Sequence, residues 1–376
     1  MNFKKNRRRI IAMFCFVIVM LSCVACGTKK DSISKSNQPK KEQNKEKETQ
    51  TPTPETIPTV PEEPVVQKDT TLTFAGDTMM TDALANFERS GTNGILDPLY
   101  QELFKQSDIS MLNEEFPFSL QGTPMPDKEY TFRIPPSYVN WYTGMGVDLV
   151  SLANNHALDY GKNALMDTFS TLDAAGIRYV GAGATRERAM ETQYIEANGK
   201  KFGFLAASRV IPSTSWNIEE GQPGLFCTYD PSLLIEQIKL AKQNCDYVVV
   251  YVHWGVERQA YPAEYQKQMA HQYIDAGADL VLGAHPHVLQ GFEYYKDKPI
   301  VYSMGNFVFS KNIDRTMALK LVIKPNNQTT IQVYPGKASN AYTRMCTGGE
   351  AQQIWNYLSE ISSNAVVDSN GFVQKK

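Results

Sequence analysis

Asp279-Leu-Val-Leu-Gly-Ala-His-Pro-His287 runs an apolar, strand-like segment straight into two histidines separated by one proline. Tyr247-Val-Val-Val-Tyr-Val-His253 ends a β-branched run in a histidine, and Thr71-Leu-Thr-Phe-Ala-Gly-Asp77 ends another in a carboxylate. Ser151-Leu-Ala-Asn-Asn-His156 adds two asparagines and a further histidine. Four of the five histidines in this 376-residue chain therefore stand at the ends of such runs. A strand leaving a buried parallel sheet delivers its last side chain to the crevice at its carboxyl end, where open α/β sheets bind ligands. Imidazole and carboxylate are the usual ligands of catalytic first-row metals, so convergence of these ends predicts a metal centre. His285 and His287 are expected to project to one side of an extended segment, with Pro286 restraining its φ. His271 has no such setting and reads as a surface or core residue.

Outward from these stretches, apolar runs alternate with amphipathic ones. Strands are expected at 71–75, 109–112, 147–151, 178–181, 201–207, 246–252, 279–282, 299–303, 317–324 and 329–334. Helices are expected at 81–88, 97–105, 136–145, 162–175, 185–190, 231–243, 262–276 and 350–362. In 162–175, Leu165, Phe169 and Leu172 recur at helical spacing, and Gly176 follows as a C-cap. The alternation predicts an α/β fold with a partly parallel sheet. The run 299–303, 317–324 and 329–334 reads as an antiparallel addition, turning at Asn326-Asn327.

The ends carry different information. Lys4, Lys5, Arg7, Arg8 and Arg9 precede an apolar run from Ile10 to Ala25, too short for a comfortable membrane span and suited to a signal segment. Leu21-Ser-Cys-Val-Ala-Cys-Gly27 resembles a lipobox with Cys26 as the lipid-modified residue, although Cys23 stands where leucine is preferred. Cys23 as acceptor, a plain signal peptide and a retained anchor are the alternatives. All of them place the remainder outside the cytoplasmic membrane, and the lipoprotein reading anchors it to the outer face. Residues 27–69 are rich in Lys, Glu, Ser, Gln, Thr and Pro, cannot build a core, and read as a disordered tether. A domain is expected over 70–336, followed by a C-terminal extension with a helix over 337–376. A net charge of −2 without a basic stripe argues against a nucleic-acid partner. Beyond the leader, Cys227, Cys245 and Cys346 form no CxxC pair and no disulfide framework.

Further polar clusters follow the same logic. Asn113-Glu114-Glu115 closes the run from Ile109, and adjacent strand carboxylates point to opposite faces, so only one can enter a crevice. Asn154-Asn155-His156 precedes helix 162–175; capping by an asparagine is the alternative to a functional role. Arg133 could grip a carboxylate or phosphate in bidentate fashion or pair with Glu129. Ser303 and Asn306 could bind substrate, orient a ligand histidine, or serve turn chemistry.

Read in order, Gly76-Asp77, Asn113-x-Glu115, Asn154-Asn155-His156, His253 and Gly283-x-His285-x-His287 resemble the calcineurin-like metallophosphatases. With Phe132-Arg133-x-x-Pro136 and Tyr302-Ser-x-Gly-Asn-Phe307, the chain is most similar to their CapA branch, named for bacterial poly-γ-glutamate capsule synthesis. The resemblance spans about residues 70–335. It implies a double β-sandwich flanked by helices, in four α/β/β/α layers, with the site at strand ends. It implies one or two divalent ions (Mn, Fe or Zn) sharing Glu115. Asp77 and His287 would complete one set; Asn155, His253 and His285 would complete the other. His156 would stay uncoordinated and protonate a leaving oxygen, while Arg133, Asn154, Ser303 and Asn306 would contact substrate. The first phosphatase motif, Asp-x-His, here reads Asp77-Thr78-Met79, so one ion loses a ligand, because a thioether suits these metals poorly.

The resemblance implies a surface protein in the synthesis, export or anchoring of poly-γ-glutamate or a similar anionic capsule polymer. Its partners would be that polymer and membrane-bound synthesis or export components. A metal-dependent hydrolase, acting as phosphoesterase or γ-glutamyl amidase, and a non-catalytic polymer-binding scaffold are the alternatives. Met79 argues against an ordinary phosphatase; retention of the remaining polar set argues against a scaffold.

Overall fold

A computed structural model of the chain describes residues 68–376 apart from Glu220. The expected leader with Cys26 and Cys23, and the tether as far as residue 67, lie outside the described residues. Among the described residues no helix is long and apolar enough to cross a membrane.

Two sheets stack face to face. The eight-stranded sheet runs in the order Tyr342–Met345, Thr329–Ser339, Ile313–Ile323, Thr70–Thr78, Ile109–Glu114, Leu149–Ser151 and Arg178–Val180, with Asn306–Val308 also pairing to Thr70–Thr78. The six-stranded sheet runs Leu289–Tyr295, Lys298–Met304, Leu280–Ala284, Tyr247–His253, Lys200–Ser208 and Gln193–Ala197. The site-bearing strands in both are parallel, and antiparallel strands flank them.

The side-chain period of two sorts each strand between two cores. Tyr247, Val249 and Tyr251 face inward, against Phe74, Met111 and Leu319 of the opposite sheet. Val248, Val250 and Val252 face outward, under helices Ser232–Asn244 and Glu264–Ala276. The other sheet's outer face, including Leu112 and Val150, is covered by helices Pro98–Lys105, Asn140–Met145 and Lys162–Ala175. The result is the expected α/β/β/α order of layers. Helix Lys162–Ala175 begins and ends as read, burying Leu165, Phe169 and Leu172, and Gly176 caps it at φ 72°.

Three features differ from the sequence expectation. Strand Lys298–Met304 does not extend the antiparallel run; it lies in the six-stranded sheet, parallel to Leu280–Ala284. The chain crosses between sheets at Gly305 (φ 61°), and Asn306 already pairs with Asp77 in the other sheet. Strand Thr329–Ser339 runs past residue 336, and helix Gly348–Ile361 buries Ile354, Leu358 and Ile361 in the core between the sheets. Finally, strands Leu289–Tyr295 and Gln193–Ala197 were not legible, because they mix polar and apolar residues without strict alternation.

Candidate metal centre

Period and irregularity together bring the polar residues to one place. Tyr247, Val249 and Tyr251 set the inward parity, so His253 continues it at the end of its strand, paired with Ala284. Ile109 and Met111 do the same for Asn113 and for Glu115, just past the strand end. Glu114 faces the other way, beside Tyr142, which answers which of the two carboxylates enters the crevice. Asp77 needs more than parity, since Leu72 and Phe74 are the inward pair and Asp77 is out of phase with them. The ladder to Ile109–Glu114 shifts register between Phe74 and Asp77, and that irregularity turns the carboxylate inward. Gly76 makes the shift feasible: a Cβ there would stand 1.9 Å from the Gly305 carbonyl oxygen.

His285 and His287 are not on an extended segment. Both have left-handed backbones, at φ 97° and 58°. Such conformations cost non-glycine residues on the order of 1–3 kcal/mol each and concentrate at functional sites. The rings nevertheless lie 5.7 Å apart, and His285 lies 4.8 Å from His253. Ser303 donates to the Val288 carbonyl at 2.8 Å and accepts from the Gly305 N–H at 3.1 Å, so it supports this turn rather than facing substrate. Asn306 Oδ1 lies 2.8 Å from His287 Nδ1 and orients that ring.

Two sets of donors converge on Glu115. Its carboxylate forms one group with His253 and His285 and another with Asp77 and His287, the ligand atoms of each lying within 4.8 Å of one another. Asn155 Oδ1 stands 2.8 Å from His253 Nε2, beside the first group. Asp77 accepts from Asn113 Nδ2 at 2.9 Å and from the His285 N–H at 3.1 Å. Met79 contributes nothing here: it packs in the outer core, and its sulfur accepts from the Thr81 N–H.

The electrostatics call for a cation. Glu115 is fully buried, and neither carboxylate oxygen has a hydrogen-bond partner; buried His285 Nδ1 is likewise unpartnered. Burial, reinforced by the Asp77 carboxylate, pushes the Glu115 carboxyl well up. Burial alone would depress His287, but Asp77 and Glu115 overcome it and push the imidazole up to about 10. Burial and His287 push His285 down to about 4. A buried carboxylate without partners costs several kcal/mol, and a divalent ion would satisfy Glu115 and His285 together. The residues present therefore fit a divalent metal, with carboxylate, amide and imidazole donors suited to first-row ions.

Beside the donors lies a proton-handling group. His156 Nδ1 lies 2.7 Å from Asp159 Oδ2 and 3.0 Å from Lys128 Nζ. Lys128 also bonds the other Asp159 oxygen and the Asn155 carbonyl. Burial lowers the His156 imidazole while Asp159 acts against it. Asp159 only accepts and Lys128 only donates, so Nδ1 is engaged from both sides and Nε2 is left for exchange. Lys128 sits in a polar loop with no periodicity, and nothing in the sequence marked it.

One expected substrate contact, Asn154, is corrected, and a second, Arg133, has structural partners of its own. Asn154 is fully buried; its amide donates to Asn113 Oδ1 and the Glu114 carbonyl, and its oxygen accepts from the His156 N–H. It braces the motif, and the capping alternative fails, because Gly161 caps the helix without a side chain. Arg133 donates to the Gln121 carbonyl at 2.8 Å and lies over the Tyr160 ring at 4.2 Å. It makes no ion pair with Glu129 among the described residues.

Four α/β/β/α layers, with two donor groups sharing Glu115 at strand ends, make a metallophosphatase-like fold. Within that class, the sequence profile described as "Bacterial capsule synthesis protein PGA_cap" matches residues 71–311, and the chain belongs to that family. It is 34% identical to the capsule biosynthesis protein CapA of Bacillus anthracis, over 79% of this chain and 74% of that protein. It is 33% identical to the PGA biosynthesis protein CapA of Bacillus subtilis, over 70% of each. Among solved structures, a hypothetical protein from Thermus thermophilus aligns at 17% identity and a TM-score of 0.46, over 71% of this chain and 99% of that one.

Proposed function

We propose that this protein acts in the synthesis, export or anchoring of poly-γ-glutamate or a similar anionic capsule polymer, at the outer face of the cytoplasmic membrane. In this reading a leader with Cys26 as lipid anchor and the tether hold the domain near membrane-bound synthesis or export components. Family membership supports the capsule role. The observation that carries its chemical part is Glu115, fully buried between two donor groups with both oxygens unpartnered. Asp77, Glu115 and His287 would hold one divalent ion (Mn, Fe or Zn), and Glu115, Asn155, His253 and His285 a second. The chemistry a divalent ion supplies in such a place is Lewis-acid polarisation of a carbonyl or phosphoryl oxygen. His156, held through Nδ1 by Asp159, presents Nε2 as the site that takes up a proton from the attacking group and then returns it to a leaving atom. Lys128 keeps Asp159 and the Asn155 carbonyl in place for both tasks.

A strain lacking this gene, complemented with His156→Ala or Glu115→Ala, tests the reading. Either variant is expected to accumulate normally and lower surface polymer at least tenfold relative to wild-type complementation. Full restoration by both would refute chemistry at this centre and leave a polymer-binding scaffold. A second reading, metal-dependent hydrolysis of γ-glutamyl or phosphodiester bonds, is favoured by the His156–Asp159–Lys128 group, which suits leaving-group protonation. Its mark would be release of short fragments from the purified polymer, absent with His156→Ala.

A further inference from the structure

Glu257 belongs to none of the sequence motifs that point to the centre. It is exposed, yet its carboxylate stands with a ligand atom of His285 and one of His287, all within 4.8 Å of one another. The loop carrying it is clamped to the histidine turn. The Arg258 N–H donates to the Pro286 carbonyl at 2.8 Å, and the Gly255 N–H donates to the Tyr265 hydroxyl at 2.7 Å. Gly255 has φ 94°, and a Cβ there would stand 2.8 Å from Pro286 Cγ, so the loop lies directly on that turn. The histidine side of the group is also incomplete. His285 is 4% exposed, and its Nδ1 has no hydrogen-bond partner. On the buried side, Asp77, Glu115 and His287 offer three donors, and the Met79 sulfur is turned away to the Thr81 N–H. Four donors are the usual complement of a closed tetrahedral site; three leave a position open.

We propose that Glu257 is a metal ligand, closing the centre from the solvent side beside His285 and His287. This rests on the reading of Asp77, Glu115 and His287 as metal-binding residues. Asp77 and Glu115 are fully buried and fixed, whereas Glu257 is exposed and free to yield its place to an incoming anionic group. The centre then has a permanent inner set and one exchangeable carboxylate at its mouth.

Calorimetric titration of the full chain with Zn2+ alone tests this, using wild type, Glu257→Gln, Glu115→Gln and the exposed-helix control Glu236→Gln. Glu257→Gln is expected to weaken the zinc Kd at least tenfold, leave metal-free thermal melting unchanged, and differ from Glu236→Gln, which should match wild type. Glu257→Asp, which retains the charge but shortens the reach, should alter the visible spectrum of the Co2+-loaded protein. A wild-type zinc Kd in Glu257→Gln, with a wild-type Co2+ spectrum in Glu257→Asp, overturns the assignment of Glu257 alone. Absence of zinc binding in wild type, or unchanged binding in Glu115→Gln, overturns the underlying metal centre and this inference with it.

Discussion

At the residue scale, the donors of this centre are held by neighbours that never need to touch a metal. Asn306 fixes His287 by its Nδ1, Asn113 fixes Asp77, and Asp159 fixes His156. Such supporting contacts set ring orientation and donor basicity, and their loss typically costs 10- to 100-fold in metal affinity. Asn306→Ala is therefore expected to weaken zinc binding by roughly 10- to 100-fold while metal-free melting barely moves. Titration of the purified variant checks this, and an unchanged Kd would return Asn306 to plain turn chemistry. Sequence reading singled out Asp77, His253, His285 and His287 because each closes or follows an apolar run, and Glu115 and Asn155 through the family resemblance. It missed Lys128 and Glu257 because they lie in irregular loops, where no period assigns a side chain to a face.

At the element scale, strand ends deliver the site and helices seal it. The alternation of Val248, Val250 and Val252 with Val249 and Tyr251 is sufficient to predict which way His253 points. It fails at Asp77, where a register shift reverses the face, and at His285 and His287, where the backbone turns left-handed. The last helix, Gly348–Ile361, is part of the main core, and Leu358 is fully buried there. Leu358→Ala should destabilise the fold by about 2–5 kcal/mol, the usual cost of emptying a packed leucine site. A urea titration reads this as a lower midpoint at an unchanged slope. A shift under about 1 kcal/mol would mean that the helix docks loosely.

At the scale of the whole molecule, the two sheets share one core, to which both ends of the described chain contribute. Leu72, near its start, and Val373, near its end, lie in the same buried cluster. Truncation after Cys346 would strip Ile354, Leu358, Ile361, Val367 and Val373 from that cluster and expose apolar surface of the inner layer. The truncated chain is expected to lose cooperative thermal unfolding and to aggregate; a sharp melt near the full-length temperature would contradict this.

What the sequence determined by itself was whatever depends on local periodicity: most strands and helices, the α/β class, and the residues standing at strand ends. Hydrophobic period acts over a few residues and can be read without knowing what lies opposite. Only the tertiary structure decided that strand Lys298–Met304 belongs to the six-stranded sheet, that Asp77 turns inward, that Asn154 is a brace, and that Glu257 closes the histidine turn. Those outcomes depend on contacts between segments that are separate in the chain, such as the Asp77 carboxylate on the His285 N–H. Close packing between the sheets and their loops sets them, and no stretch of sequence contains that information alone.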